Sequence, residues 1–505
     1  MTHPEHRRGK AYVETYGCQM NTADAELMQG ILAAAGWDLA ASPDQADVII
    51  VNTCAIRDHA EQRVIGRVGE LSRLKRENPD VVIGVTGCMA QRMGTSLLER
   101  APYVDLVMGP DGYRGLPAAL ARLRPAADRA AGPAPAAVAA DSRQRAAGGS
   151  ARGPAAAASR RDTPSATRGR ELPVLDAVST AAGQLAVLDF APHEDYEGLE
   201  VRRGSRVSAW VPIQRGCNHR CTYCIVPYVR GPEKNREPAR ILDEVREIAA
   251  RGVTEVVLLG QTVNSYEHGD WRFPRLLRKV ARVDGIRRVR FTSPHPNDVT
   301  RELIEVMADE PSVCTQLHLP VQSGHDRTLK RMLRRYTVGG YLEKVEMLRA
   351  AMPELALSTD IIVAFPGETD AEYEATLDLV RTVRYDDAFL YKYSPREGTP
   401  ATRLPREQFI APDVAQARLE RLIELHRAIQ SEITASEVGR EVDVLVEREA
   451  KSDGDMLGRT EANKVAAFPG EPSLVGRYVR VRLTATTGAT FRAERIPEPA
   501  VGRVA

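Results

Sequence analysis

Three cysteines at CxxxCxxC spacing, Cys217, Cys221 and Cys224, lie on one short loop, Cys217-Asn218-His219-Arg220-Cys221-Thr222-Tyr223-Cys224. Thiolates this close together can grip three irons of a cubane cluster. Such clusters are normally closed by four cysteines, so a three-cysteine loop leaves one iron open to bind something else. That arrangement suits chemistry better than electron storage. The competing reading is a zinc knuckle, which wants a fourth Cys or His at comparable spacing. His219, wedged inside the loop, is badly placed to supply it.

A second triad is spread over the first hundred residues: Cys18 in Tyr16-Gly17-Cys18, Cys54 in Asn52-Thr53-Cys54 and Cys88 in Thr86-Gly87-Cys88. Each follows an apolar run of strand type, among them Val48-Ile49-Ile50-Val51 and Val81-Val82-Ile83. Between the runs, Leu27, Met28, Ile31, Leu32 and Ala35, then Val64, Ile65, Val68 and Leu71, recur at helical spacing. This β-α-β-α-β order over residues 10–120 predicts a doubly wound parallel sheet. Loops following its strands gather at the carboxyl edge, so the three thiols should converge there and hold a second cluster, again with an open iron. The alternative is three unrelated buried cysteines. A seventh cysteine, Cys314, reads as a core thiol.

At 505 residues the chain should form about three domains. Its net charge of +1 excludes a strongly cationic nucleic-acid coat but not a local basic face. No apolar stretch reaches the roughly 18 to 20 residues of a membrane span, and residues 1–10 do not resemble a signal peptide. Cysteines odd in number and scattered fit reduced thiols and metal ligands better than disulfides, so a soluble, cytoplasmic protein without a membrane partner is expected. Residues 121–187 shift to Ala, Gly, Pro and Arg and are expected to be a disordered linker.

Residues 203–437 alternate helix and strand patterns from an extended stretch at 207–214 onward. The repetition predicts a parallel (β/α) barrel or part of one, with the Cys217 loop after its first strand. Active sites of such barrels are built at the carboxyl ends of the strands. Gly260 and Gln261, Ser293, Gln322 and Ser323, and Gly367 and Glu368 are therefore expected to face a cofactor, the glycines allowing close backbone approach. His426, on the apolar face of a helix over 413–437, reads as a packed residue. Beyond Gly439 the period becomes two: Val442, Val444, Val446, then Val479, Val481 and Leu483 alternating with Arg480 and Arg482. This predicts a small β-barrel over 438–497 with a basic outer face for RNA.

The CxxxCxxC loop, with Tyr223 before its last cysteine, resembles that of the radical S-adenosylmethionine (SAM) superfamily, and with the Cys18/Cys54/Cys88 triad the chain resembles the methylthiotransferases. Tyr16-Gly17-Cys18-Gln19-Met20-Asn21, Asn52-Thr53-Cys54-Ala55-Ile56-Arg57, Gly87-Cys88-Met89-Ala90-Gln91, Cys224-Ile225-Val226-Pro227 and Ser394-Pro395-Arg396-Glu397-Gly398-Thr399-Pro400 are similar to the family of bacterial tRNA enzymes that methylthiolate isopentenyladenosine. Gly458-Arg459-Thr460-Glu461 with Asn463-Lys464 resembles the TRAM module, which adds Arg459 and Lys464 to Arg480 and Arg482 as expected RNA contacts. Only the 121–187 insertion has no counterpart in that pattern.

The resemblance implies two [4Fe-4S] clusters and SAM as cofactors, with Tyr223 near the SAM-binding cluster. It implies that SAM on the Cys217/Cys221/Cys224 cluster is cleaved to a 5′-deoxyadenosyl radical, which takes the C2 hydrogen of isopentenyladenosine-37 in tRNA. Sulfur would come from the Cys18/Cys54/Cys88 cluster, and a second SAM would methylate it. Adenine C2–H is beyond ordinary general-base chemistry, in keeping with a radical. Implied partners are the tRNA anticodon loop, an electron donor such as flavodoxin or ferredoxin, and a sulfur or cluster donor. Rival substrates are threonylcarbamoyladenosine in tRNA and a ribosomal-protein aspartate. Outside catalysis, the alternative is an iron–sulfur RNA-binding sensor.

Overall fold

The computed structural model describes residues 8–55, 58–123, 178–179, 183–191, 193–452 and 454–497. Its N-terminal domain is built on β1 (Lys10–Thr15), β2 (Asp38–Leu39), β3 (Val48–Thr53), β4 (Val82–Gly87), β5 (Leu106–Met108), β6 (Val178–Ser179) and β7 (Leu185–Val187). The sheet order is β2-β1-β3-β4-β5-β7-β6. All pairs are parallel except β6 with β7. β3 and β4 are buried along their whole length, as expected of strands covered by helices on both faces. Two apolar clusters divide those faces, one around Met28, Ile50 and Tyr113, the other around Ile49, Val68 and Val107.

One boundary differs from the sequence reading. The linker expected to reach residue 187 stops short, because Leu185, Ala186 and Val187 pair in parallel register with Leu106, Val107 and Met108 and are buried. Three apolar residues in an Ala- and Gly-rich setting gain their strand identity from the waiting edge of β5, not from local composition. Residues 124–177 and 180–182 of that expected linker, and Ile56 and Arg57 of the cysteine-54 motif, lie outside the described residues.

The central domain places Ser208–Pro212, Glu255–Leu259 and Arg288–Phe291 in one parallel sheet and Gln316–His318, Ala356–Val363 and Asp387–Lys392 in another. A parallel bridge between Val289 and Val313 joins the two, so among the described residues six strands form an open, partial (β/α) barrel. Alternate residues, such as Val256 and Leu258, pack outward against the helices in the largest core of the molecule. Their neighbours Val257 and Leu259 point into the barrel, where they meet Met20 and Ala23 of the helix Gln19–Ala34. The N-terminal domain is thus seated against the barrel interior, with Cys18 at the start of that helix.

After the long helix Pro412–Ser436, the five strands Glu441–Glu449, Asp455–Arg459, Val465–Pro469, Tyr478–Thr486 and Thr490–Arg495 close into a barrel. Val444, Val446, Val481 and Leu483 fill it. Arg480 and Arg482 point out and are half-exposed or more. His426 is buried on the face of the long helix, as expected. No helix among the described residues is long and apolar enough to cross a membrane.

Candidate functional site: two facing cysteine triads

Cys18, Cys54 and Cys88 follow β1, β3 and β4, which are adjacent and parallel, so one sheet edge delivers all three. Gly17 (φ +130°) makes the turn. A Cβ there would lie 2.4 Å from Cys54 Cβ, so only glycine lets the Cys18 and Cys54 loops approach this closely. A hydrogen bond with Cys54 pulls the Cys18 thiol down to about 6, opposed by burial and helped by Arg230. Burial pushes the Cys88 thiol up, again opposed by Arg230.

Arg230 does not belong to this domain. It ends the helix Val226–Arg230, which begins two residues after Cys224 in the barrel domain. Its Nε donates to Cys88 Sγ at 3.2 Å, and its Nη2 donates to Asn21 Oδ1 at 3.1 Å and Asp24 Oδ2 at 2.8 Å. Asp24, fully buried, also accepts from Arg215 Nη1 at 2.7 Å. Both guanidinium groups oppose the effect of burial and hold the Asp24 carboxyl below its ordinary value. Ile225, just before this helix, and Val229 within it pack on Ala55 and Cys88. The five-residue helix that follows Cys224 therefore packs against the Cys88 end of the first triad.

In the second triad, Gly216 (φ +75°) turns the chain into Cys217, whose Sγ is 3.2 Å from Thr262 Oγ1. Arg334 Nη1 lies 3.5 Å from Cys221 Sγ. Burial, then Cys221, pushes the Cys224 thiol up to about 12. Burial pushes the Cys217 thiol up as well, and a bound cation would favour the thiolate forms of both. His219 does not join them. Its ring stacks on His295 with centroids 4.0 Å apart and planes within 7°, and its Nε2 is 3.4 Å from Asp298 Oδ2. His219 is thus engaged with His295 and Asp298 and not with the three cysteines, which does not favour it as the fourth ligand of a zinc knuckle at this loop.

Around this loop, Tyr223 packs on Met332, Phe365 and Ala401. Gln261 has a buried Oε1 without a hydrogen-bond partner, an acceptor aimed at nothing in the protein. Gly260 is held tight against Gln214 and Val263. Ser293 and Gln322 adopt left-handed φ values of 58° and 70°, as does Ala364 at 57°, each just beyond a barrel strand. Such strain at strand ends is retained where surrounding structure fixes it, commonly at functional rims.

Other expected contacts are placed differently. Ser323 is fully buried, and its Oγ accepts from His325 N at 3.4 Å within the turn. Gly367 (φ +77°) packs against the Arg331 guanidinium, where a Cβ would lie 2.0 Å from Nη2. Glu368 turns towards the long helix: its Oε2 accepts from Ala364 N at 2.7 Å and Arg418 Nη1 at 2.8 Å. Gly367 and Glu368 thus shape a turn, with Glu368 Oε1 left buried without a hydrogen-bond partner. Lys464, expected on RNA, is 2.7 Å from Asp386 Oδ1 and also paired with Glu437, at the joint between small barrel and core. Arg459 pairs with Glu447 Oε1 at 3.0 Å, Arg480 with Asp443 Oδ1 at 3.4 Å and Arg482 with Glu441 Oε1 at 2.7 Å, all partly exposed.

Sequence reasoning missed Arg230, Asp24 and Arg334. The usable signal for Asp24 was its place between Met20, Leu27 and Met28 on an apolar helical face, where an unpartnered carboxylate is untenable.

Three family models match in succession. Uncharacterized protein family UPF0004 matches residues 10–109, the Radical SAM superfamily 211–380 and the TRAM domain 435–496. The tRNA-2-methylthio-N(6)-dimethylallyladenosine synthase of Carboxydothermus hydrogenoformans is 41% identical over 491 residues, covering 96% of this chain and 98% of the relative. The chain belongs to the tRNA-2-methylthio-N(6)-dimethylallyladenosine synthase family. A synthase of this family from Aquifex aeolicus is 37% identical over 490 residues, covering 96% and 98% of the two chains. In fold, this synthase-family chain is similar to the radical S-adenosylmethionine methyltransferase TsrM of Kitasatospora setae, with TM-score 0.54, 12% identity, and 83% and 89% of the two chains covered.

Proposed function

We propose that the protein is a radical SAM methylthiotransferase that converts N6-isopentenyladenosine-37 of tRNA to its 2-methylthio derivative. The observation that carries this reading is the contact between the segment following one triad and a cysteine of the other: Arg230, six residues after Cys224, touches Cys88 Sγ at 3.2 Å. A reaction that generates a radical at one centre and delivers sulfur from another requires the two to flank one substrate, and this packing supports that arrangement. Bound at the triads, two [4Fe-4S] clusters with SAM supply a 5′-deoxyadenosyl radical and the sulfur atom to be inserted.

The protein's own residues do the rest. Cys217, Cys221 and Cys224 hold the SAM-binding cluster, with Thr262 and Arg334 orienting two of the sulfurs. Cys18, Cys54 and Cys88 hold the auxiliary cluster. The orphan Oε1 of Gln261 is the acceptor offered to a donor group of SAM, in a rim formed with Tyr223, Gly260, Ser293 and Gln322. Arg459, Arg480 and Arg482 on the small barrel hold tRNA phosphates near the anticodon loop. A flavodoxin or ferredoxin supplies electrons, a separate donor replenishes sulfur or cluster, and the reaction belongs in the cytoplasm.

The test is an anaerobic assay of the reconstituted protein with SAM, reductant and isopentenylated tRNA, followed by nucleoside mass spectrometry, beside Cys18→Ala. Wild type should yield the methylthio nucleoside, and the variant only 5′-deoxyadenosine. Modification of threonylcarbamoylated tRNA or of a ribosomal protein instead would overturn the substrate.

A further inference from the structure

Arg230 is a buried cation with an incomplete set of partners. Nε is used by Cys88 Sγ and Nη2 by Asn21 and Asp24, but Nη1 is buried without a hydrogen-bond partner. Tyr113 Oη, within electrostatic reach of Arg230 and Cys88, is also buried without one. A buried guanidinium N–H left unpaired is costly, so an arrangement that keeps one is expected to meet an acceptor absent from the polypeptide. The groups facing Arg230 are Asn21 and Asp24 on the helix Gln19–Ala34, with Cys18 at its start, Cys88 after β4, and Tyr113. Asp24 is shared with Arg215, so the local ion pairs leave net positive charge beside the three thiols.

We propose that Arg230 is a positioning residue for the auxiliary cluster: its Nε–H holds the Cys88 thiolate and its vacant Nη1–H donates to a sulfur of the group held by Cys18, Cys54 and Cys88. Carried on the helix that follows Cys224, it sets the potential at which that group accepts an electron. Hydrogen bonds to cluster sulfurs and nearby positive charge both favour the reduced, more negative form. The inference rests on the reading of Cys18, Cys54 and Cys88 as a cluster site.

The experiment uses the full chain carrying Cys217→Ala, Cys221→Ala and Cys224→Ala, so that only the auxiliary triad can hold a cluster. After anaerobic reconstitution, iron and acid-labile sulfide are counted, and a dithionite titration is followed by electron paramagnetic resonance. Arg230, Arg230→Lys and Arg230→Met are compared. The expected result is a tenfold or larger fall in the reduction equilibrium for Arg230→Met, about 59 mV for a one-electron couple, with Arg230→Lys in between. Should Arg230→Met not fold, Arg230→Lys, which retains a cation for Asp24, must still show the downward shift. Iron bound with the same potential in Arg230 and Arg230→Lys overturns the role of Arg230 alone. No iron in the parent overturns the cluster site together with it.

Discussion

Lys464 Nζ lies 2.7 Å from Asp386 Oδ1, a contact between the small C-terminal barrel and the edge of the central domain. Glu437 closes a second pair on the same ammonium, and all three side chains are largely buried. Nearby, Arg288 donates to the carbonyls of Arg459 at 2.9 Å and Asp443 at 2.7 Å, and Arg290 to those of Glu461 and Thr460. The barrel is therefore clamped, not tethered. Lys464→Met leaves two carboxylates without their cation and should cost about 2–4 kcal/mol. Limited proteolysis around residues 437–441 should accelerate in the variant, and an unchanged cleavage rate would show that the arginine–carbonyl contacts suffice.

Glu368 should make stability depend on pH in a particular sense. Burial pushes its carboxyl up to about 7 from 4.5, against the pull of the Ala364 N–H and Arg418. The folded value is above the unfolded one, so between them the folded chain holds a proton that the unfolded chain has released. This contribution to stability is full below about 4.5 and is lost as pH rises through about 7. Glu368→Gln abolishes it. The melting temperature of the variant relative to wild type should rise between pH 5 and 7, whereas parallel curves would show that Arg418 keeps the carboxylate ionised throughout.

Much of this site was readable because chain order and geometry coincide. Cys18, Cys54 and Cys88 follow strands of one parallel sheet, and parallel strands deliver their following loops to one edge whatever the details of packing. The CxxxCxxC loop needs no tertiary information at all. Arg230 was not readable, because its value lies in contacts with Cys88 and Asp24, 142 and 206 positions away. Lys464, expected on RNA from the TRAM resemblance, lies in the turn before Val465–Pro469, and its pairing with Asp386 and Glu437 could not be read from that motif. Gly367 and Glu368 follow a barrel strand, which places the turn, but the Glu368–Arg418 contact lies 50 positions away and could not be read from the motif.

Gly216 governs how the chain enters the SAM-type loop. Its φ is +75°, and a Cβ would lie 2.0 Å from the Pro232 carbonyl oxygen. Gly216→Ala therefore meets both backbone strain and a steric block one residue before Cys217, worth about 1–3 kcal/mol locally from strain alone. Iron content should fall to that of a Cys217→Ala variant, while the auxiliary triad keeps its share. Retention of full iron with normal SAM cleavage would mean that the loop can re-form around the added methyl group.

Arg480 and Arg482 separate a surface role from a structural one. Each is at least half-exposed and sits against a carboxylate of the neighbouring strand, Asp443 at 3.4 Å and Glu441 at 2.7 Å. Exposed pairs of this kind contribute about 0–1 kcal/mol, so Arg480→Ala and Arg482→Ala should barely move the melting temperature. If the two guanidinium groups leave these pairs for tRNA phosphates, each substitution should weaken tRNA binding across sequences and lower the salt slope by about 1. The carboxylates make the exchange asymmetric. Asp443→Asn and Glu441→Gln remove local competitors for the cations and should tighten binding at low salt. Slopes unchanged by all four substitutions would place the phosphate contacts on another face of the barrel.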